Sequence, residues 1–358
     1  VPVFNQNAGA FTYFKGIFMG DFKGFSRREL SASLNNEIYN LILFPTEQCN
    51  FRCVYCYEDF EVGNMPDWLV KSVKIHLERK VKKLKKLDLS WFGGEPLVAK
   101  KIVLDIARYA YDLCLKYNCE MQGDLTTNGF LLDLKTLADL VELKQNRFQI
   151  SIDGDEGTHN QTRITKNKRG SFGKIWQRLI DASKTNLDFH ITLRVHVTDL
   201  NQDSIERFLK LYEKNLDADS RFSLFFKAIH NLGGDQSKIQ QLTGKKSAAN
   251  FVKELNYRYY ANSITPNYIC YAAQPNSLAI RADGSLNKCT VALKDDINNI
   301  GRINEDGTLT IQHQKFGSWI SGFDTLDKWR LGCPLSYLNA HPEKKNVTAG
   351  DINVIQVA

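Results

Sequence analysis

Short apolar stretches alternate with longer amphipathic ones along most of this chain. Six stretches read as strands: 39–44 (YNLILF), 87–92 (LDLSWF), 123–127, 148–152 (FQISI), 189–197 (FHITLRVHV) and 222–227 (FSLFFK). Each is short, rich in β-branched and aromatic residues, and bounded by polar residues or glycine. Between them the apolar period lengthens. Leu69, Val73, Leu77, Val81 and Leu84 recur in steps of three and four behind Pro66 and Asp67, a helix start. Val103, Ile106, Ala107, Ala110 and Cys114 predict a second helix, Ile175, Leu179 and Ile180 a third, and Ile205, Phe208, Leu209 and Tyr212 a fourth. Strands alternating with helices predict an α/β fold of βα units on a parallel sheet. Six units imply a barrel or partial barrel, with chemistry at the C-terminal strand ends.

The pattern changes near Asn231. Residues 255–260 still read as helix, but 277–281 alternate, Asp283-Gly284 turns the chain, and a second apolar segment completes a predicted hairpin. The expected organisation is an N-terminal extension (1–38), a core (39–231) and a smaller C-terminal unit (232–358). The extension holds Phe11, Tyr13, Phe14, Phe18, Phe22 and Phe25. These suit packing against the core, or presenting an edge to which a peptide strand adds.

Composition narrows the class. The 358 residues are 43% hydrophobic and 24% charged, ordinary for a globular protein. No apolar run approaches the roughly 18 residues that span a bilayer, and the first residues lack a basic-then-apolar signal pattern. A cytoplasmic protein without a membrane partner is expected. Lys and Arg number 47 against 40 Asp and Glu, and part of the excess sits in 80–86 (KVKKLKK), a solvated helix end. No nucleic-acid motif accompanies it, so no nucleic-acid partner is expected.

Three of the eight cysteines crowd into Cys49–Cys56, where the first strand ends: Pro45-Thr-Glu-Gln-Cys49-Asn-Phe-Arg-Cys53-Val-Tyr-Cys56. Three thiolates this close can converge on one metal centre, and thiolate is the usual protein ligand of iron–sulfur clusters. In a [4Fe–4S] cube they leave one iron open. The same spacing would also put plain core thiols on one helix face, or serve zinc. Thr46, Glu47, Gln48, Asn50 and Arg52 suit a buried helix poorly, and zinc favours CxxC pairs or added histidines.

C-x3-C-x2-C with an aromatic residue, Tyr55, before its last cysteine resembles the signature of the radical S-adenosylmethionine (SAM) superfamily. Trp91-Phe-Gly93-Gly94-Glu95-Pro96 resembles that family's GGEP segment, which implies that this backbone and Glu95 hold the methionine amino group of SAM. Thr126-Thr127-Asn128-Gly129 and Ser151-Ile-Asp153-Gly154 close the third and fourth strands as in the family. The resemblance places Thr127 and Asn128 at the cofactor, gives Ser151 and Arg163 contacts to the SAM ribose and carboxylate, and sets Asp153 beside them. It spans roughly residues 39–230. It implies a partial (β/α)6 TIM-like barrel, one SAM-binding [4Fe–4S] cluster, and a reductant such as flavodoxin or ferredoxin. Reduced, such a cluster splits SAM into methionine and a 5′-deoxyadenosyl radical.

Gly284-x4-Cys289 and Gly332-Cys333-Pro334 resemble the SPASM and Twitch auxiliary-cluster domains. The resemblance makes Cys270, Cys289 and Cys333 ligands of one auxiliary [4Fe–4S] cluster; the bland alternative is buried structural thiols. A full SPASM domain has seven cysteines, and a Twitch domain ends in CxxC where this chain has Ser336, so the fourth ligand stays open. Cys114 reads as a core thiol, and Cys119 as structural or redox-active.

Thr46–Cys53 (TEQCNFRC) and Thr158–Arg163 (THNQTR) resemble maturases of ribosomally made peptides. A precursor peptide is the expected substrate and side-chain cross-linking, C–C or thioether, the expected reaction, because an auxiliary cluster suits a two-electron oxidation. Alternatives are a peptide epimerase using a thiol such as Cys114 or Cys119, a Twitch-type small-molecule dehydrogenase, and a sulfatase-maturase-like enzyme. That last class carries aspartate where this chain has Thr290. An iron–sulfur carrier without catalysis is the non-enzymatic alternative.

Overall fold

The computed structural model describes residues 24–229, 246–260 and 268–346. Six strands, β1 (Ile38–Leu43), β2 (Lys86–Trp91), β3 (Glu120–Thr127), β4 (Gln145–Ile152), β5 (His190–Val197) and β6 (Phe222–Ala228), lie side by side in chain order. All five pairings among them are parallel. Each crossover carries a helix: α2 (Asp67–Val81), α3 (Lys100–Lys116), α4 (Leu134–Glu142), α5 (Glu156–Thr162) with α6 (Phe172–Ser183), and α7 (Gln202–Asn215), while α1 (Arg27–Leu34) precedes β1. The α/β fold and its predicted strands are all present.

The barrel stays open. The edge of β1 that would meet β6 is taken by β7 (Ser277–Ile280), which pairs with it in parallel. β8 (Ser285–Asn287), β9 (Asn299–Ile303) and β10 (Leu309–Ile311) then extend the sheet antiparallel. The predicted hairpin is β7–β8, turned by Gly284 at φ +85°, a left-handed conformation that glycine adopts without a Cβ penalty. The C-terminal strands and the core therefore share one ten-stranded sheet.

β3 and β4 begin three residues before their apolar runs, at Glu120 and Gln145. Backbone pairing needs no apolar side chain. Gln145 turns to the apolar side, its Oε1 accepting from Trp91 Nε1 at 2.8 Å, while Arg147 faces the inside of the half-barrel, 3.6 Å from Asp88 and 3.8 Å from Asp124. The opposite face is apolar: Leu41, Leu43, Leu87, Leu89, Leu125, Phe148, Leu193 and Val195 are fully buried. α1, α4 and α5 were not read from the sequence, although Leu134, Leu137, Leu140 and Val141 give α4 a helical period, and each starts on a side-chain cap. Ser26, Asp133 and Asp155 accept from the backbone N–H of Glu29, Thr136 and Thr158.

Helix α8 (Lys246–Tyr260) packs beside β6. Of the six N-terminal aromatics only Phe25 falls within the described residues. It is buried with Ile269, Ala273 and Leu331, so it joins the N-terminal side to the C-terminal unit. Phe11, Tyr13, Phe14, Phe18 and Phe22 lie outside the described residues. Among those described, no helix is long and apolar enough to cross a membrane.

His76 of α2 ties three elements together. Its Nε2 meets the Tyr39 hydroxyl at 3.0 Å and its Nδ1 the Gly307 carbonyl at 3.0 Å. Burial lowers its pKa from 6.5 to about 4. The unfolded chain therefore binds a proton here that the folded chain refuses. This stability is fully present above pH 6.5 and lost as pH falls towards 4. Urea unfolding at stepped pH should show a decline of up to about 1.4 kcal/mol per pH unit from this histidine in that window, and His76→Asn should flatten it.

Candidate cysteine and cofactor site

β1 ends at Leu43 and the chain enters the loop that carries Cys49, Cys53 and Cys56, all half-buried free thiols. Three neighbours hold the loop. The 162–166 segment pairs with it: Arg52 N–H donates to Ile164 O (2.7 Å), Val54 N–H to Thr162 O (3.0 Å) and Lys166 N–H to Asn50 O (2.7 Å). The segment after β2 donates Gly94 N–H to Thr46 O (3.3 Å) and Glu95 N–H to Gln48 O (3.0 Å). From the C-terminal hairpin, Arg281 Nε donates to Glu47 Oε1 at 3.0 Å, with its Nη2 on the other oxygen.

Those contacts explain Gly93 and Gly94. A Cβ on Gly93 would stand 2.3 Å from Thr46 O, and one on Gly94 2.5 Å from Glu47 O and Gln48 O. The glycines admit the cysteine loop's own backbone, not only a ligand. Glu95 is fully buried and already engaged: Oε1 accepts from Leu97 N–H (3.0 Å) and Thr127 Oγ1 (2.7 Å), and Oε2 from Asn128 N–H (2.7 Å). Of a carboxylate's roughly four lone-pair positions this leaves about one for a further donor. Asn128 also reaches the loop, its Nδ2 donating to Asn50 Oδ1 at 2.7 Å and lying 3.9 Å from Cys49 Sγ.

Tyr55, Asp153 and Arg163 form one network. The Tyr55 hydroxyl donates to the Asp153 carboxylate (2.7 Å to Oδ2) and accepts from Arg163 Nη1 (2.7 Å). Thr162 Oγ1 donates to Asp153 Oδ2 at 2.6 Å and His196 Nδ1 to Oδ1 at 3.0 Å. Burial opposes charge on Asp153, but the His196 hydrogen bond and the Arg163 charge outweigh it and hold the carboxyl below its ordinary range. Burial lowers His196 to about 4, so its neutral ring gives Nδ1–H to the carboxylate. The charge pair is thus Asp153 with Arg163, bridged by Tyr55. Ser151 lies half-buried on β4, level with Arg194 of β5.

The second cysteine set assembles behind the β7–β8 hairpin. Cys270 N–H donates to Leu331 O (2.8 Å), which brings it beside Cys333, and Asn298 Oδ1 fixes Cys289 N–H (2.8 Å). Cys270 and Cys289 are buried and Cys333 exposed. Thr290, next to Cys289, exchanges hydrogen bonds with the Tyr271 hydroxyl at 2.9 and 3.0 Å, so no carboxylate stands at this position. Cys114 and Cys119 are buried together at the opposite end, before β3 begins.

The thiols' chemistry bears on what they can hold. Burial pushes Cys49, Cys56 and Cys270 up to about 12, so they are neutral until a cation draws the proton off. Cys53 and Cys56 each add to the rise at Cys49, and Cys289 and Cys333 to that at Cys270. Each trio therefore lies within electrostatic reach of itself. Among the described residues no three Cys, His, Asp or Glu side chains surround a single point. A [4Fe–4S] cluster does not ask for that, because each of its cysteines takes a different iron. The all-sulfur donor set fits such a cluster.

Sequence reasoning gave no role at the site to Glu47, Arg281, His196, Thr162 or Glu58. The first four are single polar residues whose partners lie far along the chain or across a turn. Both Glu58 oxygens are buried without a hydrogen-bond partner among the described residues, and burial with the nearby Glu47 charge raises it to about 8.

Residues 43–212 match the radical SAM superfamily. Over 282 residues the chain is 26% identical to a GTP 3′,8-cyclase of Helicobacter pylori (strain HPAG1), covering 73% of this chain and 83% of that protein. It is 23% identical to a cysteine-type anaerobic sulfatase-maturating enzyme of Clostridium novyi (strain NT), covering 70% and 67%. In fold it is similar to native anSMEcpe with bound AdoMet and the Kp18Cys peptide, at TM-score 0.58, 20% identity, and 82% and 87% coverage. It is likewise similar to SuiB of Streptococcus suis, at TM-score 0.55, 14% identity, and 92% and 81% coverage.

Proposed function

We propose, from the premise that this enzyme carries a radical SAM domain over residues 43–212, that it oxidises a ribosomally made precursor peptide by joining two side chains through a C–C or thioether bond. One observation carries the reading. Tyr57, next to Cys56, reaches from the first cysteine set towards the second, its hydroxyl 3.4 Å from the carbonyl of Thr290, next to Cys289. A substrate in the mouth of the half-barrel would meet the radical on one side and an electron acceptor on the other, as a two-electron oxidation requires.

Cys49, Cys53 and Cys56 would hold the first [4Fe–4S] cluster, and Cys270, Cys289 and Cys333 the auxiliary one. With SAM bound, the first would supply reductive cleavage of the sulfonium to a 5′-deoxyadenosyl radical that takes a hydrogen from the substrate. In this reading Glu95 accepts the SAM ammonium on its remaining lone pair, and the neighbouring backbone of Gly93 and Gly94 approaches it. Thr127 and Asn128 hold that carboxylate in place. Ser151 and Arg163 meet the ribose and carboxylate, while Asp153 fixes Tyr55 and Arg163 through the hydrogen bonds above. The buried walls exclude water from the radical.

Competing reactions fit less well. An epimerase needs a hydrogen donor at the radical, and Cys114 and Cys119 sit a strand's length away, roughly 25 Å at about 3.3 Å per residue. A sulfatase-type reaction lacks a carboxylate at Thr290. The GTP 3′,8-cyclase matches favour a second reading, a purine nucleotide in the same mouth. Precursor peptide incubated with reconstituted enzyme, SAM and dithionite should lose the mass of two hydrogens per link and yield 5′-deoxyadenosine. An iron–sulfur carrier would yield none, and GTP consumption would select the nucleotide. Replacing Cys270, Cys289 and Cys333 together by alanine should halve the bound iron and stop product formation, while 5′-deoxyadenosine still forms.

A further inference from the structure

Two cations on the inner face of the half-barrel lack an acidic partner among the described residues. Arg194 is central in β5, level with Ser151 of β4 and Phe225 of β6, and its guanidinium lies 6.0 Å from the Phe225 ring. Its Nε is buried without a hydrogen-bond partner among the described residues. Lys227 of β6 is level with His196, one alternate position further towards the C-terminal strand ends. Among the described residues neither Arg194 nor Lys227 has a hydrogen bond or ion pair.

Two arginines on or beside this sheet are neutralised. Arg147 has Asp88 and Asp124, and Arg281 has Glu47. Asp153, the carboxylate whose charge reaches Arg194, is occupied by Tyr55, Thr162 and His196. Desolvating an unpaired charge is costly, so a fold that keeps two together keeps them for a ligand that neutralises them. Burial shifts both groups towards their neutral forms, and each is placed close enough to the other for repulsion to add to the shift at Lys227.

Their position says which ligand. Arg194 is within electrostatic reach of Tyr57, and Lys227 of Cys333. The pair therefore stands between the two cysteine sets, where the substrate of the proposed reaction must sit. We propose that Arg194 and Lys227 bind an oxyanion of the substrate, a carboxylate or a phosphate, and so hold the reacting carbon between the SAM site and the auxiliary site. The inference rests on that reading of the two sites. A guanidinium fork beside a mobile ammonium suits either oxyanion. An acidic peptide side chain supplies the carboxylate, a nucleoside triphosphate the phosphate.

Calorimetric titration of the reconstituted, SAM-loaded protein tests this with three probes: acetyl-Ala-Glu-Ala-amide, its Gln counterpart, and GTP. The expected result is salt-sensitive binding of the Glu peptide or of GTP, and none of the Gln peptide. Arg194→Met and Lys227→Met should each weaken it by about tenfold or more, Arg194→Lys less, with SAM affinity and bound iron kept. Binding of the Glu peptide selects the peptide source, and binding of GTP the nucleotide source. Failure of both probes, or equal binding by the Met variants, overturns the proposal. So does loss of iron in the variants, which would make these cations counter-charges of the clusters, or a parallel loss of SAM affinity, which would assign them to the SAM carboxylate. If the wild type forms no 5′-deoxyadenosine from SAM and dithionite, the radical SAM chemistry fails, and that outcome is separate from the titration.

Discussion

Replacing Cys49, Cys53 and Cys56 together by alanine is expected to reduce 5′-deoxyadenosine formation to background while the fold survives. The three thiols are half-buried in a loop, and the loop is held by backbone hydrogen bonds to 162–166 and to Gly94 and Glu95 that alanine leaves intact. Removing them takes away the proposed sulfur ligands and little packing. Circular dichroism should match the wild type, bound iron should fall by one cluster, and SAM should stay uncleaved under dithionite. Unchanged iron content in the triple variant would sink the assignment of these thiols. The single variants should behave alike, because a cube held by two cysteines is readily lost.

Arg281→Met is expected to cost about 3–5 kcal/mol of unfolding free energy, the range for breaking a buried ion pair from one side. Glu47 is fully buried, and Arg281 supplies its bidentate partner. Without the guanidinium, Glu47 keeps a desolvated charge or takes up a proton. The same arginine donates to Leu293 O at 3.1 Å, so its loss also loosens the segment after Cys289. Urea unfolding measures the cost directly. Adding Glu47→Gln should recover part of it by removing the stranded charge, and a double variant as unstable as the single would argue against the ion pair. Because the pair joins the cysteine loop to the C-terminal hairpin, iron retention in both cysteine sets should fall together.

Where the sequence was legible, one kind of signal was responsible. The six parallel strands carry a buried apolar face, and Val73, Leu77, Ile106 and Leu209 mark helices long enough for a 3.6-residue period to emerge. Helix α5 has no apolar residue to show such a period, and α4, although Leu134, Leu137, Leu140 and Val141 carry one, is only nine residues long and was passed over, as were the caps Asp133 and Asp155. The cysteine spacing pointed to a chemistry because the three thiols lie within eight residues of one another. Gly93 and Gly94 were visible as an exception to side-chain patterning, but the backbone that requires them, Thr46 to Gln48, was not.

Local pattern alone determined that this chain makes parallel βα units and that a thiol-rich loop follows the first strand, since both follow from residues near one another in the chain. Tertiary structure decided the rest. It left the barrel open by placing β7 on the free edge of β1 and set Glu47 against Arg281 across 234 positions. It also left Arg194 and Lys227 without an acid among the described residues. Charge pairing and strand order depend on which distant segments meet, and a burial penalty exists only once the chain has closed around the group.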